Sequence, residues 1–106
     1  MGGQLICIYE EDGMTEHQKR LWQSMIDLIQ SYLSGKTDDF VSMVGGLEGA
    51  LDASEIKNEL LVKQWYEYWT PLEIRRSVEG NKVDKDMAIK ELMSMRAFLL
   101  KKVDWD

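Results

Sequence analysis

The residues able to do chemistry in this chain of 106 are few, and their spacing decides against most of it. His17 is the only imidazole. The carboxylate beside it, Glu16, lies about 100° away round a helix, so the two cannot grip a metal ion together. Cys7 is the only thiol. Glu10 and Glu11 follow it where a nucleophilic cysteine needs a cation or a helix N-terminus, and a lone cysteine cannot close an internal disulfide. The acidic runs Glu10-Glu11-Asp12 and Asp38-Asp39 are of the kind that cap helices and solvate loops. Gly45-Gly46-Leu47-Glu48-Gly49 lacks the following lysine and the preceding strand of a phosphate loop. No catalytic set, metal site or cofactor box emerges, and the expectation is a protein that is not an enzyme and needs no cofactor.

One cluster remains. Trp65-Tyr66-Glu67-Tyr68-Trp69-Thr70-Pro71 places four of the ten aromatic residues within five positions. Helical spacing puts Trp65, Tyr68 and Trp69 on one side and turns Tyr66 to another. The simplest reading sends the first group into the core. The functional reading makes Tyr66 and Trp69 an exposed hot spot for a protein partner. A third reading is a small-ligand pocket between the first and third helices, lined by Trp22, Trp65 and Trp69.

The net charge of −6 is uneven: residues 1–52 hold nine acidic side chains against three basic, and residues 53–106 hold ten of each. Phosphate binders carry a basic footprint, so nucleic acid and anionic membrane are excluded as expected partners. An acidic half steers a basic protein instead. Asp27, Asp38, Asp39, Glu48 and Asp52 are the carboxylates expected to meet it. No apolar run reaches the roughly 18 residues of a membrane span, and with the lone cysteine this predicts a cytoplasmic protein.

The elements that must position these groups read as helices. Thr15 with Gln18 three residues on is a capping box for a first helix ending at Gly35. A second helix starts at Thr37 or Asp38, and its Gly45-Gly46 pair predicts a kink or fray unless another element approaches closely there. A third helix is expected to open at Ser54 and run to Trp69. Thr70, Pro71 and Glu73 resemble a restart signal for a short helix to Glu79. The last helix opens at Asp84 with Met87, Ala88, Leu92, Met95, Leu99 and Val103 on one face. The expected fold is all-α, a bundle of four main helices plus one short helix in residues 14–106. Residues 1–13 form a separate arm or strand, dispensable for folding, whose β-prone residues 4–9 can pair with their copy in a homodimer.

Leu28-Ile29-Gln30-Ser31-Tyr32-Leu33-Ser34-Gly35-Lys36, followed by an acidic turn and Phe40, resembles the start of small bacterial colicin-like immunity proteins. The resemblance covers about a quarter of the chain and implies a helical, acidic domain that binds and blocks a basic toxin. It carries over no functional residue.

Overall fold

Thr15 begins the fold. In the computed structural model, which describes residues 14–103, its side chain accepts a hydrogen bond from the Gln18 N–H while the Gln18 amide oxygen accepts from the Thr15 N–H. The same Gln18 side chain donates to the Ser54 carbonyl, so one residue closes the first helix and ties it to the end of the second. Helix α1 (Glu16–Leu33) stops at Gly35, whose φ of 85° favours glycine. Helix α2 (Phe40–Ser54) is capped by Asp39, α3 (Glu59–Glu79) by Asn58, and a 3-10 turn (Gly80–Lys82) leads to α4 (Lys85–Val103). The all-α bundle of four main helices is as expected, with no strand among the described residues. The expected arm over residues 1–13 lies outside them, as does its pairing through residues 4–9.

Short connections make sequential helices antiparallel neighbours. Helix α1 lies beside α2 and α4, and α3 beside the same two, so α1 and α3 stand on a diagonal. Side chains must therefore fill the centre. Trp22, Met25 and Ile29 of α1, Val44 and Leu47 of α2, Trp65 and Leu72 of α3, and Leu92, Met95 and Leu99 of α4 are all fully buried.

Three local expectations are corrected. Helix α2 runs unbroken through Gly45 and Gly46 because both are sites of close approach: a Cβ on Gly46 would stand 3.1 Å from a Leu28 methyl, and one on Gly45 3.2 Å from the Arg76 guanidinium. Helix α3 also runs unbroken through Pro71, so there is no separate short helix. Trp65, Trp69 and Leu72 are buried on either side of that proline, and their packing holds the helix across it. The proline ring lies away from these three, half-buried at the edge toward α4, on the side where a helix can bend convexly around its core. Ser54, expected to open α3, instead ends α2 with its hydroxyl donating to the Leu51 carbonyl, and Glu55 turns the chain in a left-handed conformation with φ of 52°.

Two side chains expected in the core are outside it. Tyr68 is 39% exposed and stacks flat on Phe98 at a centroid separation of 4.8 Å, and Met87 is exposed. Phe98 takes the inward place in α4 beside Trp22.

Trp65 is the side chain that spans the diagonal, its indole N–H donating to the Met25 sulfur at 3.3 Å. Trp65→Ala should lower stability by about 3–5 kcal/mol, because it removes a fully buried ring from between two helices whose backbones do not touch. Denaturant titration of the two proteins measures this. A loss under about 1 kcal/mol would place the ring outside the core.

Candidate functional site

Five acidic and two aromatic residues are the sites expected from sequence, and the fold distributes them over three surface places and the core. Asp38 and Asp39 sit at the start of α2. The Lys85 ammonium lies 2.9 Å from the Asp38 carboxylate and 4.9 Å from the centre of the Tyr32 ring. Asp39 accepts from both the Ser42 N–H and its hydroxyl, which hold the Asp39 carboxyl below its ordinary range. Asn81, from the α3–α4 connection, accepts from the neighbouring Val41 N–H. These two aspartates thus build the end of α2. Asp27 lies exposed on α1, where it accepts from the Gln23 amide.

The third place gathers Glu48, Asp52 and Tyr66. Glu48 and Asp52 are one turn apart on α2, and Tyr66 reaches across from α3 to donate its hydroxyl to Glu48 at 3.0 Å. The Tyr66 ring is half-buried, edge-on to both Trp65 and Trp69. Burial first, then the hydrogen bond and charge of Glu48, then the charge of Asp52, push the Tyr66 phenol up from its ordinary value of 10.0. Trp69 does not join this surface: it is 6% exposed, stacked on Trp65, and its indole N–H donates to the Val44 carbonyl at 3.0 Å. The expected exposed hot spot at Trp69 is therefore corrected to a core position.

The three rings of the expected ligand pocket are likewise packed against protein, Trp22 on Phe98 and Trp65 on Trp69. The Trp22 N–H alone lacks an acceptor among the described residues. No group of three metal-ligating side chains occurs there either, and His17 is exposed. Among the described residues no helix is long and apolar enough to cross a membrane.

The residues that sequence reasoning missed lie on the back of α3. Leu60, Glu67, Pro71, Ile74 and Val78 fall within an arc of about 60°, centred about 160° from Trp65, Trp69 and Leu72. Leu60, Ile74 and Val78 are 66%, 58% and 77% exposed. Helix α3 is therefore apolar on two opposite sides, and only one of them meets the core. Beside this outer face a furrow runs between α3 and α4. Its wider parts are a cavity of about 520 Å³ bordered by Pro71, Ile74 and Val78 and one of about 470 Å³ bordered by Gln64, Tyr68, Ala97 and Lys101. A depression sharing Glu67 and Tyr68 with the second joins them. Arg75 crosses the furrow floor to pair with Glu91 and Glu79.

Charge follows the same division in the fold. Residues 14–52, which hold α1 and most of α2, carry six acidic and three basic side chains, whereas residues 53–106 carry ten of each sign. The α1–α2 side of the bundle is thus negative, and the half of the sequence that supplies α3 and α4 is balanced. Comparison of the chain with known protein families, with curated proteins and with solved structures finds no match.

A raised phenol pKa has a direct consequence. The folded state holds Tyr66 neutral to higher pH than the unfolded state does, so its stabilising effect is complete below pH 10 and is lost as pH rises through the folded value. Phenolate absorbance of the native protein, with the Tyr66→Phe protein subtracted, should show a titration above the ordinary range. Glu48→Gln should lower that midpoint without fully restoring it, because burial, the largest cause, remains. An unchanged midpoint would remove Glu48 from the account of Tyr66.

Proposed function

We propose that this protein is a non-enzymatic protein-interaction domain, and that the outer face of α3 is its working surface. The observation that carries the reading is the row Leu60, Ile74 and Val78, which faces away from the core and lies open to solvent, with the half-buried Pro71 beside it. An exposed apolar row of this kind adds nothing to the fold, and such surfaces mark association sites. Aliphatic side chains in a furrow bordered by paired and unpaired charges suit a partner's side chains better than phosphate or sugar.

A second reading keeps the inhibitor role that the colicin-immunity resemblance implies. It is favoured by the negative α1–α2 side and by the half-buried Tyr66 beside Glu48 and Asp52. On that reading a basic partner meets α2, and Asp52→Lys should slow its association more than it speeds dissociation, as rapid-mixing kinetics would record. An unchanged association rate would remove the second reading.

The main reading predicts a separation of stability from binding. Ile74→Ser and Val78→Ser should each change unfolding free energy by less than about 0.5 kcal/mol, since neither side chain packs in the core. A photo-reactive phenylalanine placed at Val78 should yield a protein adduct in a lysate of the source cells, and one placed at Glu55 should not. Adducts from neither position, or adducts to nucleic acid, would count against the reading.

A further inference from the structure

Helix α4 supplies the wall of the furrow opposite α3, and its sequence pattern there is specific. Lys90, Ser94, Ala97 and Lys101 recur at spacings of four, three and four, so they form one line along the outside of α4. The two lysines stand about 16 Å apart along the helix axis, with two small side chains between them. Both are exposed, and both border the furrow. Neither makes a hydrogen bond or ion pair among the described residues, in contrast to Lys85, which is held by Asp38, and Arg75, which is held by Glu91. The wall on the α3 side carries one unpaired charge of its own, Glu67, among aliphatic residues.

The furrow therefore has an apolar side, a side of small residues, and two cations without an ion-pair partner among the described residues, placed three helical turns apart along its rim with the single carboxylate of Glu67 facing them. A helix laid in it would bury its apolar stripe on Ile74, Pro71 and Val78. Its flank toward α4 would pass Lys90 and Lys101 at a spacing that residues eleven apart on an α-helix reproduce. A lysine or arginine on that flank would meet like charge at both places. Resting on the interaction reading above, we infer that the α3–α4 furrow receives an amphipathic helix of another protein whose flank toward α4 is acidic. The partner of this face is thus opposite in charge to the basic protein that the acidic half of the chain suggests, and the two faces lie on opposite sides of the bundle.

The test uses the full chain and two helical peptides of about 18 residues, the length of the exposed α3 face at 1.5 Å per residue. Both carry the same leucine stripe, one with glutamates and the other with lysines on the flank. Calorimetric titration should show the glutamate peptide binding about tenfold or more tightly than the lysine peptide, with the difference shrinking as salt is raised from about 50 to about 300 mM. Charge reversal by Lys90→Glu with Lys101→Glu should invert the preference. Val78→Glu, on the exposed face where folding is unaffected, should abolish binding of both. Equal affinity for the two peptides overturns the acidic-partner inference while leaving an interaction surface in place, whereas no binding of either overturns both. Self-association of the chain that Val78→Glu disperses would give the furrow to a second copy and overturn the inference. Peptide binding that appears only after Ile6→Ser with Ile8→Ser would give it to the chain's own first residues, with the same consequence.

Discussion

The structure depends on one long reach. Helices α1 and α3 stand on the diagonal of the bundle with their backbones out of contact, and the Trp65 indole bridges them by donating to the Met25 sulfur. A smaller side chain at that place would leave the centre empty, and voids of that size are costly in an interior packed like a crystal. Trp69, stacked on Trp65 and bonded to the Val44 carbonyl, then fixes α3 against α2. The bundle is accordingly uneven: α1 and α2 come close because Gly46 admits a Leu28 methyl, while α3 is held off by large rings.

That unevenness assigns the two sides of α3 different work. The inner side supplies bulk to the core, and no other helix among the described residues covers the outer one. Its Leu60, Ile74 and Val78 are left in water, where they cost solubility without adding to the fold. Polar contacts that could have closed the furrow bind within it instead, Arg75 to Glu91 and Glu79. The acidic residues of α2 are mostly spent locally as well. Asp39 caps its own helix, Asp38 holds Lys85, and Glu48 accepts from Tyr66. A sum of charges over half the chain could not reveal that most of these carboxylates already had partners.

What was legible in the sequence was local. The Thr15–Gln18 capping box and the Gly35 stop involve residues three or four apart, so they could be read without the fold. The burial of Trp65 and Trp69 followed from their helical spacing, although the same spacing also placed Tyr68 inside, where it is not. The failures involve competition between local and distant forces. Thr70-Pro71-Leu72-Glu73 has every mark of a restart, yet burial of Trp69 and Leu72 on the same side outweighed it and the helix continued. Ser54 and Asn58 can both cap a helix, and the left-handed turn at Glu55, a residue with no sequence signal for it, chose the second. At Gly45 and Gly46 the decisive neighbours, Arg76 and Leu28, are remote in sequence. The outer face of α3 was hidden for a simpler reason: Leu60, Ile74 and Val78 are core-type residues, and only the position of the other helices shows that they point away.

The two-sidedness of α3 is the central claim, and solvent access at individual methyl groups tests it most directly. In methyl-resolved NMR spectra recorded with a water-soluble gadolinium chelate, the methyl signals of Leu60, Ile74 and Val78 should broaden strongly, and those of Leu72, Val44 and Leu99 should stay sharp. Protection of Ile74 and Val78 equal to that of Leu72 would contradict it, by showing that the outer face is covered in solution.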